Sequence, residues 1–190
     1  MFKEYPWGKG KIIETIVPDW EDWVPKLLKS FSDNQQDCTF SHKIKGRWEN
    51  SYLPVELVPE IRFPIRFARD LGVEIFCPSI CMIYDAFDKS DLTSLPFWFN
   101  SAMPGESTGL HDHVHHAALA GVVYLSCEMK SGNLYFHMDG SSELEILPEV
   151  GKLVLFEPWM KHGVRTNQSN QQRLSLAFNL QPFPVRVAGL

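Results

Sequence analysis

Short β-prone segments follow one another through residues 73–190, and this succession constrains the fold more than any other feature. Each segment is rich in Val, Ile, Phe and Tyr and is closed by Gly, Pro, Asn or Asp after roughly 8 to 12 residues. Such spacing is typical of an all-β sandwich or barrel. The predicted strands lie near residues 73–87, 96–103, 110–115, 118–126, 132–138, 143–147, 151–157, 162–167 and 172–180.

A helical pattern precedes these strands. Apolar residues between Trp20 and Phe31 recur at intervals of three and four positions, which predicts one amphipathic helix. A looser apolar stripe between Leu57 and Leu71 predicts a second helix that ends near Gly72. Two helices followed by many strands suggest that the helices cover one outer face of the β-structure.

We therefore predict a mainly β fold, a double-stranded β-helix of the jelly-roll or cupin-like type with N-terminal helices packed on one face. A chain of 190 residues is expected to form a single domain. In this prediction residues 1–72 are the helical N-terminal layer, and residues 73–190 are the jelly-roll core.

The composition limits the partners. With 44% hydrophobic residues the chain is expected to fold, and 18 Lys and Arg against 23 Asp and Glu give a net charge of −5, the wrong sign for binding nucleic acid. The longest apolar run, residues 117–125, is far shorter than the roughly 20 residues of a membrane span. We see no secretory signal and expect the four cysteines to be reduced thiols, so a cytoplasmic location is predicted.

Four of the seven histidines, His111, His113, His115 and His116, lie within six residues. Side chains at positions i and i+2 of a strand point to the same face. His111 and His113 can therefore present two imidazoles to one metal ion, and His113 and His115 could do the same in a shifted register. A third ligand must come from a different strand.

His162 is the candidate for that third ligand. It follows a strong predicted strand at residues 151–156 and opens the next one. In a double-stranded β-helix these positions belong to strands two and seven, which are neighbours. A site with three protein ligands on one side and open positions on the other suits non-haem iron(II).

A competing pair, His137 and Asp139, has the His-x-Asp spacing of a two-ligand element. Only 23 residues separate Asp139 from His162, too few for the intervening strands, and residues 138–140 are typical of a turn. Asp112 lies between two histidines and should face away from them. We therefore predict a three-histidine site without a carboxylate ligand.

The last predicted strand carries an arginine and a hydroxyl group. Arg173, Ser175 and Ala177 share one face of this strand, and the apolar residues between them share the other. An inward-facing arginine requires an anion, and its guanidinium can bind a carboxylate through two parallel hydrogen bonds. Ser175 can donate a further hydrogen bond to the same group.

Residues 98–179 resemble the iron(II) and 2-oxoglutarate dependent oxygenases, most closely a bacterial and phage-associated branch. The ordered set of motifs carries the resemblance, since each motif alone is weak. The motifs are Trp98-Phe-Asn100, His111-Asp-His113, Gly121-Val-Val-Tyr-Leu125, Gly151-Lys-Leu-Val-Leu-Phe156, His162-Gly-Val164 and Arg173-Leu-Ser-Leu-Ala-Phe-Asn179.

The resemblance implies two cofactors and the residues that hold them. Fe(II) would bind to the three histidines, and the distal carboxylate of the cosubstrate 2-oxoglutarate would bind to an arginine and a serine. Asn100 is expected to be a further residue of the cofactor site. The residues concerned are His111, His113, His162, Arg173, Ser175 and Asn100.

The expected activity is a dioxygenase reaction, most simply the hydroxylation of an unactivated C–H bond in a small molecule, an amino acid or a peptide. Residues 41–52 and 103–109 are the candidate substrate-facing segments, because both are irregular and lie beside the predicted barrel mouth. Two other classes stay open. One is a three-histidine cupin-type dioxygenase that does not use 2-oxoglutarate, and the other is a jelly roll that binds a ligand without catalysis.

Overall fold

Strands and two helices make up most of the structure, a computed structural model that describes residues 1–44, 47–76, 81–82, 97–114, 117–140 and 142–182. The helices are α1 (Trp20–Asp33) and α2 (Arg62–Ile75), with single 3-10 turns at Gln35–Asp37 and Pro59–Ile61. The strands are β1 (Phe2–Trp7), β2 (Gly10–Ile16), β3 (Thr39–Ile44), β4 (Arg47–Tyr52), β5 (Cys81–Met82), β6 (Phe97–Ala102), β7 (Thr108–His111), β8 (Leu119–Ser126), β9 (Leu134–Phe136), β10 (Leu144–Ile146), β11 (Lys152–Phe156), β12 (His162–Val164) and β13 (Arg173–Pro182).

Two antiparallel sheets form the β-structure. The large sheet has the order β1-β2-β11-β8-β13-β6-β4-β3, and β5 pairs with the end of β13. The small sheet has the order β10-β9-β12-β7. Apart from the hairpins β1–β2, β3–β4 and β9–β10, neighbouring strands in both sheets are far apart along the chain, as in a two-sheet jelly roll. The prediction of a mainly β, double-stranded β-helix fold is confirmed.

The two helices pack on one face of the large sheet, as predicted. Apolar residues of both helices, among them Leu27 and Ala68, share a buried cluster with the sheet. The face of β13 that the sequence assigns to the helices contributes Leu174, Leu176 and Phe178 to this cluster. Burying each of these large side chains stabilises the fold by roughly 1.5 to 3 kcal/mol.

A second buried cluster fills the space between the two sheets. The residues that meet there are Trp7, Ile12, Ala120, Val154, Phe156 and Met160 from the large sheet and its connections, and Leu134, Phe136 and Ile146 from the small sheet. This packing fixes the distance between the sheets and therefore the width of the barrel interior. The interior opens at the end where β7 and β12 meet.

The prediction that residues 1–72 form a helical layer is wrong in part. This region also contains four strands, and the hairpins β1–β2 and β3–β4 extend the large sheet at its two edges. The β1–β2 hairpin turns at Gly8, whose φ of 56° favours glycine. These strands are short and only partly apolar, so the stronger helical periodicity of the neighbouring segments dominates the sequence pattern.

The second helix also ends later than predicted. It continues through Gly72 to Ile75, so Gly72 is a packing position, where a Cβ atom would lie 2.8 Å from Leu119 Cδ1. The strand predicted over residues 73–87 is thus helical at its start. Apart from Phe76 and β5 at residues 81–82, the remainder of that segment lies outside the described residues.

No helix in the part of the chain that the structure describes has both the length and the apolar composition needed to cross a bilayer.

The contact of Gly151 with α1 gives a stability prediction. Gly151 has a φ of 80°, and a Cβ atom there would overlap the Trp20 side chain. Gly151→Ala therefore combines backbone strain with overpacking, and the overpacking alone should lower the free energy of unfolding by about 1 to 3 kcal/mol. Gly140→Ala is the matched control, because Gly140 has a φ of 77° and open space around it. Urea unfolding should show a larger decrease in the free energy of unfolding for Gly151→Ala than for Gly140→Ala. Equal decreases would contradict the contact between Gly151 and Trp20.

Candidate metal centre

Three histidines meet at the open end of the barrel. His162 begins β12 and lies directly opposite His111, the last residue of β7, while His113 follows two residues later. Each histidine contributes one ring nitrogen, and these three nitrogens all lie within 4.8 Å of one another. His111 is exposed, His113 is half-buried and His162 is buried. The sequence-predicted residues are thus brought together by the pairing of β7 with β12.

His113 reaches the site for a different reason from the one predicted. The strand β7 ends at His111, so the alternation of side chains along a strand does not place His113. Instead, the backbone N–H of His113 donates a hydrogen bond to the carbonyl of Pro158, at 2.8 Å. In the alternative register, His115 would pair with His113, but His115 lies outside the described residues.

Two of the imidazole rings are oriented by carbonyl groups. His111 Nδ1 lies 2.9 Å from the carbonyl oxygen of Gly109, and His162 Nδ1 lies 2.9 Å from that of Met160. Because a carbonyl only accepts hydrogen bonds, each neutral ring donates from Nδ1. The Nε2 atoms then carry the lone pairs, which is the arrangement found in metal-binding histidines.

The electrostatic environment keeps His162 neutral. Burial lowers its pKa well below the ordinary value, and repulsion from His111 and His113 lowers it further. The hydrogen bond to the Met160 carbonyl opposes this shift but is the smallest of the four effects. A neutral imidazole is the form that binds a metal ion, so this ligand requires no deprotonation near neutral pH.

The loop between β11 and β12 supplies the Met160 carbonyl that orients His162 and the Pro158 carbonyl that accepts from His113, and the β1–β2 hairpin contacts this loop. The backbone N–H of Lys11 donates to Glu157 Oε2 at 3.1 Å. A Cβ atom on Gly10 would overlap that carboxylate and would lie 3.0 Å from Met160 Cε. The absence of a side chain at Gly10 therefore lets the hairpin approach the loop that carries Met160 O.

The competing pair His137 and Asp139 belongs to a surface network. His137 Nδ1 lies 3.1 Å from Glu143 Oε1, and its Nε2 lies 3.3 Å from Asp139 Oδ1. Arg165 also binds Glu143 and lowers the pKa of that carboxyl group. Among the described residues, the ligand atoms of His137 and Asp139 are not part of a converging metal-binding group.

Arg173 lies at the start of β13 and is almost fully buried, with 1% of its surface exposed. Its Nη1 donates to the carbonyl oxygens of Ser131 and Gly132, at 2.8 and 3.4 Å. A Cβ atom on Gly132 would lie 2.7 Å from this nitrogen, so a glycine is needed there. The two carbonyls hold the guanidinium in one place inside the barrel.

Ser175 and Asn100 face each other on β13 and β6, in the interior of the barrel. Both line a small cavity of about 60 Å³ that also contacts the three histidines. Ser175 Oγ makes only a long contact of 3.5 Å with the carbonyl of Asn100, and Asn100 Nδ2 donates to Asn50 Oδ1 at 3.3 Å. Arg173 lies two residues before Ser175 on the same strand face and is not part of the cavity wall.

Tyr124 is a polar residue of the interior that the sequence analysis did not single out. It lies opposite Ser175 on the neighbouring strand β8, and its buried hydroxyl has no hydrogen-bond partner among the described residues. Burial raises its pKa, and the positive charge of Arg173 offsets only part of this shift. The alternation along β8, with Val122 in the inner cluster, is the sequence signal that could have identified it.

A large cavity of about 790 Å³ opens beside the metal centre. It shares five residues with the small cavity: Trp98, Asn100, Thr108, His111 and His113. Both predicted substrate-facing segments contribute to its wall, residues 41–52 more fully than residues 103–109, of which only Thr108 and Gly109 line it. The cavity is thus continuous with the surface that carries the histidines.

Comparison with known proteins supports the metal-dependent class. The family model described as a "2OG-Fe(II) oxygenase" matches residues 137–179, a segment that contains His162, Arg173 and Ser175. Among curated protein sequences, none matches the chain significantly.

Solved structures share the fold over most of the chain. A prolyl-4-hydroxylase from Pseudomonas putida is 15% identical, with a TM-score of 0.64, and the match covers 90% of this chain and 91% of the other. A prolyl hydroxylase from Trichoplax adhaerens, solved with a peptide fragment of hypoxia inducible factor, is 11% identical, with a TM-score of 0.65. The match covers 90% of this chain and 83% of the other. EvdO2 from Micromonospora carbonacea var. aurantiaca, complexed with 2-oxoglutarate, is 12% identical, with a TM-score of 0.59. The match covers 99% of this chain and 96% of the other.

The fold is a double-stranded β-helix, and the three converging imidazoles form a candidate metal centre within it. Over residues 137–179 and in the motifs given above, the chain is similar to the 2OG-Fe(II) oxygenases, a family whose cofactors are Fe(II) and 2-oxoglutarate. Neither a cupin-type dioxygenase without 2-oxoglutarate nor a non-catalytic jelly roll is favoured by these matches.

The contact between the β1–β2 hairpin and the β11–β12 loop gives a prediction about metal affinity. Gly10→Ala should displace the Glu157 carboxylate and break its hydrogen bond with the Lys11 amide, and so weaken metal binding by up to about tenfold, less than the loss of a group that bonds to a ligand directly. Calorimetry with Fe(II) or Zn(II) measures this affinity. Gly140→Ala is the control, since Gly140 has nothing within 4 Å of the added Cβ atom. Unchanged affinity in Gly10→Ala would show that the hairpin does not position the ligands.

Proposed function

We propose that this oxygenase hydroxylates an unactivated C–H bond of a small molecule, an amino acid or a peptide, with His111, His113 and His162 as the iron ligands. The observation that carries the proposal is the convergence of their three ring nitrogens within 4.8 Å, at the junction of the two cavities. Three neutral imidazoles on one side of an ion leave positions on the other side for a cosubstrate and dioxygen.

The polar groups of the barrel interior fit a dicarboxylate cosubstrate. We assign the distal carboxylate of 2-oxoglutarate to Arg173 and Ser175, with Asn100 beside them in the cofactor cavity. Tyr124 lies opposite Ser175, outside the cavity wall, and its buried hydroxyl is protonated and has no partner among the described residues. A hydroxyl that lacks an acceptor inside a protein is costly unless a ligand provides one.

In this mechanism bound Fe(II) and 2-oxoglutarate supply the oxidising chemistry. The protein orients the reactants and keeps water away from them. The carbonyls of Gly109 and Met160 orient the rings of His111 and His162. The ring of Phe156 packs against the ring of His162, with the two ring centroids 4.6 Å apart. The apolar wall around the small cavity excludes water, which strengthens the binding of the charged cosubstrate.

The large cavity supports a substrate with several functional groups. A volume of about 790 Å³ lies within the range of typical ligand pockets. Two of the similar structures are prolyl hydroxylases, and one of them holds a peptide, which favours a peptide or an amino acid derivative among the candidate substrates. The cytoplasmic location predicted from the sequence remains part of the proposal, and the free thiols of Cys38 and Cys127 fit a reducing compartment.

Histidine substitutions test the metal centre. His111→Ala and His162→Ala should each abolish stoichiometric Fe(II) binding, because each removes one of three ligands. Asp139→Ala and His115→Ala are the controls and should keep the metal. Metal content after anaerobic reconstitution measures the effect, and succinate release without substrate shows whether Asp139→Ala retains turnover. Loss of iron in His115→Ala together with its retention in His111→Ala would support the shifted ligand register.

Substitutions of the interior polar groups test the cosubstrate site. Removing one partner of a buried charge pair typically costs about 2 to 5 kcal/mol, so Arg173→Ala should weaken 2-oxoglutarate binding by about 30-fold to several thousand-fold. Arg173→Lys should recover part of the loss, since it keeps the charge without the planar pair of donors. Anaerobic titration of the iron-loaded variants measures both.

Tyr124→Phe tests the same site without the risk of unfolding the barrel. It removes only a hydroxyl that has no partner in the part of the chain that the structure describes, so the melting temperature should not fall. A hydrogen bond to a charged group is worth about 1.5 to 3 kcal/mol, and binding of 2-oxoglutarate should weaken by about 10- to 150-fold. Unchanged affinity in both Tyr124→Phe and Arg173→Ala would contradict the cosubstrate assignment.

A further inference from the structure

His42 has a backbone conformation that is unusual for a residue with a side chain. It lies within β3, between the paired residues Ser41 and Lys43, and its φ is 57°, in the left-handed region. The two other described residues besides glycine with a positive φ, Asp19 and Lys130, lie outside the strands. Such strain persists only where surrounding contacts hold it, and it is concentrated at functional sites.

The left-handed conformation brings the imidazole ring of His42 to the side chains of Ser41 and Asn50. Its Nδ1 lies 2.7 Å from Ser41 Oγ and 3.2 Å from Asn50 Nδ2. Ser41 and Asn50 lie opposite each other on β3 and β4, so their side chains share one face of the sheet. Regular alternation would place the His42 side chain on the other face. The strain thus joins the ring to two residues of the large cavity wall.

These contacts determine which ring nitrogen of His42 carries the proton. An amide nitrogen only donates, so Nδ1 accepts from Asn50 Nδ2. The hydroxyl of Tyr52 lies 2.6 Å from Ser41 Oγ, so Ser41 can accept from Tyr52 and donate to the same Nδ1. In a neutral ring whose Nδ1 accepts, Nε2 carries the proton. His42 is exposed, and its Nε2 has no hydrogen-bond partner among the described residues.

His42 is also connected to the cofactor cavity. Asn50 Oδ1 accepts a hydrogen bond from Asn100 Nδ2 at 3.3 Å, and Asn100 lines both cavities. Because β4 lies between β3 and β6 in the large sheet, His42 and Asn100 are two strand spacings apart, about 10 Å. A molecule that contacts both residues therefore spans roughly the length of three residues of an extended peptide.

We propose that His42 selects the substrate, its Nε2–H donating a hydrogen bond to a carbonyl or hydroxyl oxygen at the outer end of the molecule. This inference rests on the proposed function, because it takes the large cavity as the substrate site. Among the candidate substrates it favours a peptide, or another molecule of that length, over a single amino acid. Ser41 and Asn50 orient the ring for this contact.

Nuclear magnetic resonance tests the protonation of the ring. The full chain is loaded with 2-oxoglutarate and Zn(II), a diamagnetic replacement for iron, at mildly alkaline pH, where a free imidazole is neutral. A long-range nitrogen–proton correlation spectrum should show the His42 proton on Nε2, and the signals that disappear in His42→Asn identify this ring. A proton on Nδ1 would overturn the proposal, because Nε2 could then not donate.

Two probes of equal size test what the ring binds. Cyclohexanone only accepts hydrogen bonds, and cyclohexylammonium only donates them. Their affinities are measured by ligand-observed NMR on the same loaded protein. His42→Asn removes Nε2 but keeps an acceptor oxygen near the position of Nδ1, and asparagine tolerates the left-handed conformation. It should weaken cyclohexanone by about three- to tenfold, the effect of one lost hydrogen bond, and leave cyclohexylammonium unchanged.

Asp19→Asn is the matched control. Asp19 also has a left-handed conformation, with a φ of 52°, and it precedes α1, outside the walls of both cavities. Both probes should keep their affinities in this variant. Equal weakening of both probes in His42→Asn, or unchanged binding of cyclohexanone, would contradict recognition by the N–H group.

The thermal stability of His42→Asn separates recognition from a structural role. The melting temperature should stay the same, because the variant keeps the backbone conformation and an acceptor for Ser41 and Asn50. A lower melting temperature with unchanged probe affinities would show that His42 is structural. The Zn(II) and 2-oxoglutarate affinities of His42→Asn should equal those of the parent protein, so failure here is distinguishable from failure of the cofactor assignment.

Discussion

The antiparallel pairing of β7 with β12 is the interaction on which the site depends. It places His162 directly opposite His111, although the two residues are far apart in the sequence. The pairing is short, so it relies on the rest of the small sheet and on the apolar cluster between the sheets to keep its position. His111 and His113, at and beside this contact, line both cavities.

The N-terminal hairpin shows how the surroundings of the site are organised. The Lys11 amide and the Glu157 carboxylate connect β2 to the loop that carries the Met160 carbonyl, and this carbonyl orients His162. The hairpin therefore contacts the loop that orients His162 but contributes no residue to the three-histidine group. A segment that extends the edge of the large sheet is in this way part of the ligand geometry.

The sequence predicted the parts of the fold that local patterns determine. The alternation in β13 correctly placed Leu176 towards the helices and Ser175 towards the interior, because the two-residue period of a strand is a local property. The strands β1 to β4 were missed because their pairing with β11 and β6 is a long-range interaction. His113 was selected for the wrong physical reason, since a loop carbonyl rather than strand alternation places it. The unsatisfied atoms of Tyr124 and Asn179 follow only from three-dimensional packing.

The inner face of β13 has one more consequence. Arg173, Ser175, Ala177 and Asn179 form a row along a single strand, and at about 3.4 Å per residue the row is about 20 Å long. This length separates Arg173, the residue proposed to bind the cosubstrate, from Asn179 in the wall of the large cavity. A substitution at the Asn179 end would therefore alter the wall of the large cavity without touching the guanidinium at the other end of the strand. One strand in this way combines two surroundings, and each can be changed separately.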